Sequence, residues 1–394
     1  MVFDPLPRRR SGIITRRYLA RLATGTGLAA LAPAIVGRAE PAVIRIGQIE
    51  ALTGPSSPYG MRARDGAKLA LEQINEHGLS VGGSTYRLKV ALGDMANDPR
   101  QAVTLLRQYA ASAEMLCSIG PTNSVGFVPI VPLAEQASFP LVGDGSGVPI
   151  KEWNSWGFRV NPINSTGTPI LLRQVVAREK VKRLAVLYDQ TQDGQRADSE
   201  VCKASAATIG YEVVAFEAFR TGDQDFSPQI ATIRSAKPDA IFVAAATGDG
   251  VKVVTQIREA ALDQPLLTGS GSFQDPVYWN GTKGQIKDCY TWISLDLQEP
   301  SPALKAFLDA YRKLYGQEPA STCAYGADAI HSVTAALQKA GKLDRAALRE
   351  VLASLHIVTP IGTHVQFKNP PSGENLDPTV VPIKVTGPGA YDRI

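Results

Sequence analysis

From Val43 onward the chain alternates short β-rich runs with stretches of helical period, and this alternation restricts the fold more than any other feature. Strand patterns cover Val43 to Glu50, Arg87 to Gly93, Met115 to Gly120 and Phe139 to Val142. Helix patterns over Gly60 to His77, Arg100 to Ser112 and Val125 to Gln136 separate them. In the first helix Ala63, Ala67, Ala70, Leu71 and Ile74 share one face. Asp98-Pro99 gives the second a capping residue and a proline at its first position. Strands linked through helices pair in parallel, because the crossover needs a dozen or more residues, and a parallel sheet is covered by helices on both faces.

The rhythm restarts after Asn161. Helices are expected over Pro169 to Glu179, Gln195 to Ile209, Phe226 to Ser235 and Gly250 to Ala261, with strands over Arg183 to Tyr188, Glu212 to Ala218, Ala240 to Ala245 and Pro265 to Leu267. A length of 394 residues also exceeds what one core usually holds. The expected fold class is α/β, with two doubly wound parallel-sheet lobes. From Asp288 there remain a strand at Cys289 to Ser294, helices near Pro302 to Tyr315, Thr322 to Gly341 and Asp344 to Leu355, and extended segments near His364 to Phe367 and Val380 to Val385. These are too few for a third domain. They are expected to complete the lobes by crossing between them near Asn161 to Gly167, Tyr290 to Leu297 and Val358 to Phe367. That divides the chain into 40–162 plus 292–360 and 163–291 plus 361–394.

Residues 1–39 read differently. They hold seven arginines against Asp4, and Arg16-Arg17 precedes a weakly apolar run from Leu22 to Val36 that ends at Gly37-Arg38-Ala39. A charged start, a short apolar stretch and a small-residue exit describe an export signal, and the arginine pair resembles the twin-arginine kind. As a helix the run would rise only about 22 Å, short of a bilayer core of roughly 30 Å. The expected location is periplasmic. Beyond residue 39 the chain has 34 basic and 36 acidic residues, which gives no electrostatic reason to seek nucleic acid.

Ligands of doubly wound sheets sit beyond the carboxyl ends of strands. After the first strand, Tyr59 either packs in a turn or presents its ring and hydroxyl to a cleft. After the third, Gly120-Pro121-Thr122-Asn123-Ser124 enters a helix, so Asn123 and Ser124 either cap it or let its free N–H groups receive a carboxylate or phosphate. After the fourth, Gly143-Asp144-Gly145-Ser146-Gly147 lacks the full dinucleotide fingerprint and reads better as a backbone loop that holds a small ligand. The matching loops of the second half carry Asp193, Thr247, Asp249 and Ser270, where Asp193 and Asp249 either cap helices or neutralise a cationic group.

The chain has no P-loop, G-x-S-x-G elbow or H-E-x-x-H, and Cys117, Cys202, Cys289 and Cys323 lack zinc-ligand spacing, so no metal or cofactor is indicated. His77, His331, His356 and His364 fall away from the strand-end loops, and Cys117 lies inside a strand. A hydrolase would need a nucleophile with its base, and no convincing pair is present.

Thr53-Gly54-Pro55 with Tyr59-Gly60, Gly66, Asp94 with Asp98-Pro99, Gly120-Pro121 with Ser124, Pro132 with Glu135, Phe158-Arg159 and Tyr325 with Asp328 occur in an order and spacing similar to one family. It is the periplasmic solute-binding proteins of ABC importers, of the branched-chain amino acid type. The resemblance spans nearly all of residues 43–385. It implies a type I periplasmic binding protein fold, with two lobes joined by three hinge segments, closing on a small ligand and presenting it to a membrane permease. It implies that Asn123, Ser124 and the Asp144-Gly145-Ser146 loop hold a ligand carboxylate and that Tyr59 lines the pocket. Where the family commonly places an acid against the ligand ammonium this chain has Ser270, and a common cleft tyrosine falls near Asp193. Unless Asp193 or Asp249 substitutes, an aromatic or aliphatic acid or a neutral amide is as fitting a ligand as an amino acid. A sensor that passes ligand occupancy to a signalling partner is the other reading.

Overall fold

A computed structural model of the chain describes residues 42–150, 155–270, 272–295, 297–298 and 300–394. The expected export signal lies outside them. The first lobe begins with β1 (Ala42–Glu50), α1 (Ser57–His77), β2 (Leu79–Val81), β3 (Ser84–Asp94), α2 (Pro99–Ala111), β4 (Met115–Ile119), α3 (Ser124–Gln136), β5 (Leu141–Gly143) and β6 (Gly157–Arg159). Its six strands run in the order β2-β3-β1-β4-β5-β6, with every pairing parallel except the β2–β3 hairpin.

The second lobe follows with α4 (Asn164–Glu179), β7 (Arg183–Asp189), α5 (Asp193–Ile209), β8 (Glu212–Phe219), α6 (Ser227–Ala236), β9 (Ala240–Ala244), α7 (Thr247–Glu259), β10 (Leu266–Ser270), α8 (Pro276–Gly281) and β11 (Tyr290–Ile293). The chain then builds α9 (Pro302–Tyr315), α10 (Ser321–Ala340), α11 (Arg345–Leu352), β12 (His356–Val358), β13 (His364–Gln366), β14 (Val381–Gly387) and β15 (Ala390–Arg393). The second sheet has the order β15-β14-β11-β10-β9-β7-β8, parallel from β11 to β8 and antiparallel at the β14–β15 edge.

Strand alternation divides each sheet's side chains between two helical layers. Ile44 and Ile46 of β1 face the layer of α1, α9, α10 and α11, whereas Ile49 faces α2 and α3. On β7, Ala185 and Leu187 pack toward α6, α7 and α8, and Leu184 and Val186 toward α4 and α5. Helices α1 and α10 meet almost backbone to backbone. A β-carbon at Gly66 would lie 1.8 Å from the Cys323 carbonyl oxygen, and one at Gly326 2.0 Å from that of Ala63. The four cysteines are buried as free thiols.

The crossings differ in part from expectation. The first lies between the ends of β6 and α4, and the second between β11 and α9. Residues 361–367, expected in the second lobe, pack in the first, where Ile361, Val365 and Phe367 join the core around Ile44 and Leu348. The third passage therefore runs between β13 and β14, and only β14 and β15 return to the second sheet. The three-residue strands β2, β6 and β12 escape a periodic reading because three residues establish no period.

Candidate functional site

The carboxyl ends of both sheets converge on a cavity of ≈ 80 Å³. Tyr59 reaches it from the first turn of α1, Thr122, Asn123, Ser124 and Val125 from the β4–α3 junction, and Gly145 and Gly147 from the loop after β5. Gln192, Gly194, Gln195 and Asp198 enter from the start of α5, and Thr268 and Gly269 from β10. Asn164, Thr322 and Tyr325 close the remaining sides from α4 and α10.

The first-lobe wall is built around the start of α3. Asn123 caps this helix, its side-chain oxygen accepting from the Gly126 N–H at 3.0 Å, while its amide donates to Asn97 at 2.8 Å. Ser124 is the first helical residue, so its N–H and that of Val125 have no acceptor within the helix and carry the helix's positive end. Buried Arg159 donates through one Nη to the Ser146 carbonyl at 2.7 Å and to Ser146 Oγ at 3.1 Å. The Ser146 hydroxyl donates in turn to Ser124 Oγ at 3.1 Å. With its oxygen accepting, the Ser124 hydroxyl has its proton left to give to the cavity. Ser146 therefore acts from behind Ser124.

Beneath this wall lie two fully buried carboxyls. Glu50, at the end of β1, accepts from the Thr122 hydroxyl at 2.7 Å and the Thr122 N–H at 3.1 Å. Asp144 sits beside it, in hydrogen-bonding reach of Glu50 and Thr122. Burial pushes both above the usual carboxylate range, and the neighbouring Asp144 charge raises Glu50 further. The pair keeps a proton and holds Thr122, which lines the cavity. Asp144 is thus a support for the loops.

Of the ten residues expected at a site, Tyr59, Asn123, Ser124 and Gly145 line the cavity, and Asp144 and Ser146 lie directly behind it. Asp193, Thr247 and Asp249 do not line it. Asp193 pairs with Arg196 and faces a groove along Thr191 and Thr221, outside the cavity. Asp249 accepts from the Gly222 N–H and from Lys252, both at 3.1 Å. Neither aspartate caps its helix, because Gln192 and Ala246 hold the cap positions. Thr247 is buried in the second lobe, and the side chain of Ser270 lies outside the described residues.

The reading of strand-end loops missed Asp198. It projects from inside α5, is 3% exposed, and accepts from Thr168 Oγ1 at 2.5 Å, while Thr168 Oγ1 in turn accepts from Trp292 Nε1 at 3.1 Å. Burial pushes its carboxyl up to about 7 despite the Thr168 hydroxyl. Asp328 of α10 is likewise raised by burial to about 7. Both groups take up protons in the folded chain between pH 8 and 6, whereas unfolded aspartates, with pKa near 3.9, do not. Folding is therefore expected to gain on the order of 1 kcal/mol per pH unit as pH falls through 7. Buried His331, held down to about 4, opposes this only as the unfolded histidine protonates near 6.5. Urea unfolding at pH 8 and pH 6 measures the slope, and Asp328→Asn should flatten it.

Two α/β lobes with a polar cavity at their facing strand ends define a binding protein that encloses a small solute. Among the described residues no cluster of histidine, cysteine or acidic side chains is set to hold a metal. Residues 43–375 match the family described as periplasmic binding protein, and the chain belongs to it. Membership makes it an exported, periplasmic solute-binding protein. It is 26% identical over 342 residues to a leucine-, isoleucine-, valine-, threonine- and alanine-binding protein of Pseudomonas aeruginosa, covering 86% of this chain and 89% of the relative. Its fold matches a leucine binding protein from Thermotoga maritima at a TM-score of 0.79 and 24% identity, over 89% of this chain and 97% of that one. It also matches a solute binding protein of an ABC transporter from Rhodopseudomonas palustris, in complex with 3,4-dihydroxybenzoic acid, at a TM-score of 0.77 and 24% identity over 89% and 96%.

Proposed function

We propose that this protein captures a small carboxylate-bearing solute between its lobes and hands it, chemically unchanged, to the membrane permease of an ABC importer. The observation that carries the proposal is the donor relay from Arg159 through Ser146 to Ser124, which ends in a hydroxyl proton beside two N–H groups that have no acceptor within the helix. Such a group of donors matches the two oxygens of a carboxylate. The ligands named for the relatives support the same class, since amino acids and a dihydroxybenzoate have only a carboxylate in common.

The two sheets with their helices act as rigid lobes, and the three passages between them act as hinges. Arg62 of α1 forms a buried two-bond pair with Asp275 at the start of α8, at 2.9 and 3.1 Å, so the lobes are joined outside the cavity. Opening exposes the cavity, and closure excludes water and strengthens the hydrogen bonds inside. Export proceeds through a twin-arginine-type signal carrying Arg16 and Arg17; their joint replacement by lysine should leave the precursor in the cytoplasm.

Isothermal titration of the mature protein tests the site. Ser124→Ala removes the donor itself and is expected to weaken carboxylate binding by about 1.5–3 kcal/mol, roughly 10- to 150-fold. Ser146→Ala, one step back in the relay, should cost less, with the unfolding midpoint of both variants close to wild type. Unchanged affinity in both would remove Ser124 from the ligand site.

A further inference from the structure

We infer that the cavity selects a carboxylate whose opposite end carries a hydrogen-bond donor, received by Asp198, and that it discriminates against a ligand ending in a branched alkyl group. The inference rests on the carboxylate reading above and concerns the other end of the same ligand.

The wall facing Ser124 is polar. Among the described lining residues Val125 is the only aliphatic side chain, and it belongs to the first lobe. The second-lobe wall presents Asp198 with Gln195 beside it. Asp198 is held by one oxygen only: Oδ1 takes the Thr168 hydroxyl, and Oδ2 accepts no hydrogen bond among the described residues. The Trp292-to-Thr168 bond fixes that arrangement from behind. Gly269 leaves room for the free oxygen, since a β-carbon there would lie 1.6 Å from it. The Gln192 amide, by contrast, turns to Thr221 on the outer groove, at 2.9 Å. On an adjacent side, Thr322 Oγ1 is buried with no partner among the described residues.

An alkyl group placed against this wall would take water from the Asp198 carboxyl and the Gln195 carboxamide and return no hydrogen bond. The resulting penalty on buried polar groups opposes the gain from burying the alkyl group. A hydroxyl, ammonium or amide N–H of the same size replaces the lost water directly. Rejection of an isostere that lacks the donor is strong in sites built this way.

Isosteric pairs isolate the effect, because each pair shares one carboxylate and one shape: threonine against valine, asparagine against leucine, and 4-hydroxybenzoate against 4-methylbenzoate. Titrated into the mature protein, the polar member of any pair that binds is expected to be at least tenfold tighter. Asp198→Ala should shrink that ratio to threefold or less while leaving Ser124→Ala as damaging as before. Equal or tighter binding of the apolar member, or an undiminished ratio in Asp198→Ala, overturns the inference and leaves the carboxylate reading standing. If no member of any pair binds, the carboxylate reading falls and takes this inference with it. Retained binding of the tighter ligand, or an unshifted unfolding midpoint, verifies that Asp198→Ala is folded; Asp198→Asn, which keeps the shape and one acceptor, should fall between the two.

Discussion

Replacing Arg159 by alanine is expected to destabilise the folded chain by about 3–5 kcal/mol, the cost of breaking a buried charge pair from one side. Arg159 is fully buried at the end of β6, where it donates from Nε to Glu374 at 3.0 Å and from Nη to the same carboxylate. It also donates to the carbonyls of Ser146 and Val148, both at 2.7 Å. Glu374 lies on the passage between β13 and β14, so one side chain ties the first and third crossings to the loop behind Ser124. Its loss takes the guanidinium from Glu374 and frees two carbonyls in a site closed to water. Carboxylate affinity should fall with stability, because the relay to Ser124 starts at this guanidinium. The double variant Arg159→Met with Glu374→Leu should recover part of the stability, since no charge is left unpaired, but none of the affinity. Urea unfolding with titration on the same samples separates the two. Full recovery of binding in the double variant would show that Arg159 supports the fold alone.

Arg62→Ala should act on closure. The Arg62–Asp275 pair is at most 5% exposed on either side and joins α1 of the first lobe to the start of α8 in the second, while a third donor of Arg62 bonds the Glu318 carbonyl at 2.5 Å. In an opened molecule both ions regain water; in the closed one Asp275 would be left buried and unpaired. Truncating one member of such a pair costs about 2–5 kcal/mol, which is roughly a 30-fold or greater loss of affinity expressed mainly as faster release. Because neither residue touches the cavity, the effect should be the same for every ligand. Stopped-flow release kinetics check this; a variant within threefold of wild type would show that the pair does not report on closure.

Much of this arrangement was legible from local pattern. The recurrence of strand and helix specifies two doubly wound sheets, and their strand ends locate Tyr59, Asn123, Ser124 and Gly145 because a loop at the carboxyl end of a strand must open onto the cleft. Asp198 was not legible by that rule. It lies five residues beyond Asp193 on the same helix, about 140° around it, so one faces solvent and the other the interior. Its position four residues before buried Cys202 was the available signal, an acidic residue on the apolar side of a helix. Asn164, Thr322 and Tyr325 arrive from elements remote in sequence, and no local period reports such a meeting. The same limit displaced the third crossing, because whether Val365 and Phe367 serve one core or the other depends on neighbours near residues 44 and 348. Asp144, by contrast, sits in the expected loop but is turned inward beside Glu50, and its alternation with Gly145 does not reveal which of the two faces the ligand.

The most direct test of the account is a crystal structure of the mature protein with a bound carboxylate identified by titration. The account predicts the carboxylate within hydrogen-bond distance of Ser124 Oγ and the N–H groups that begin α3, with both lobes in contact with the ligand. A ligand held by one lobe alone, or bound away from Ser124, would contradict it.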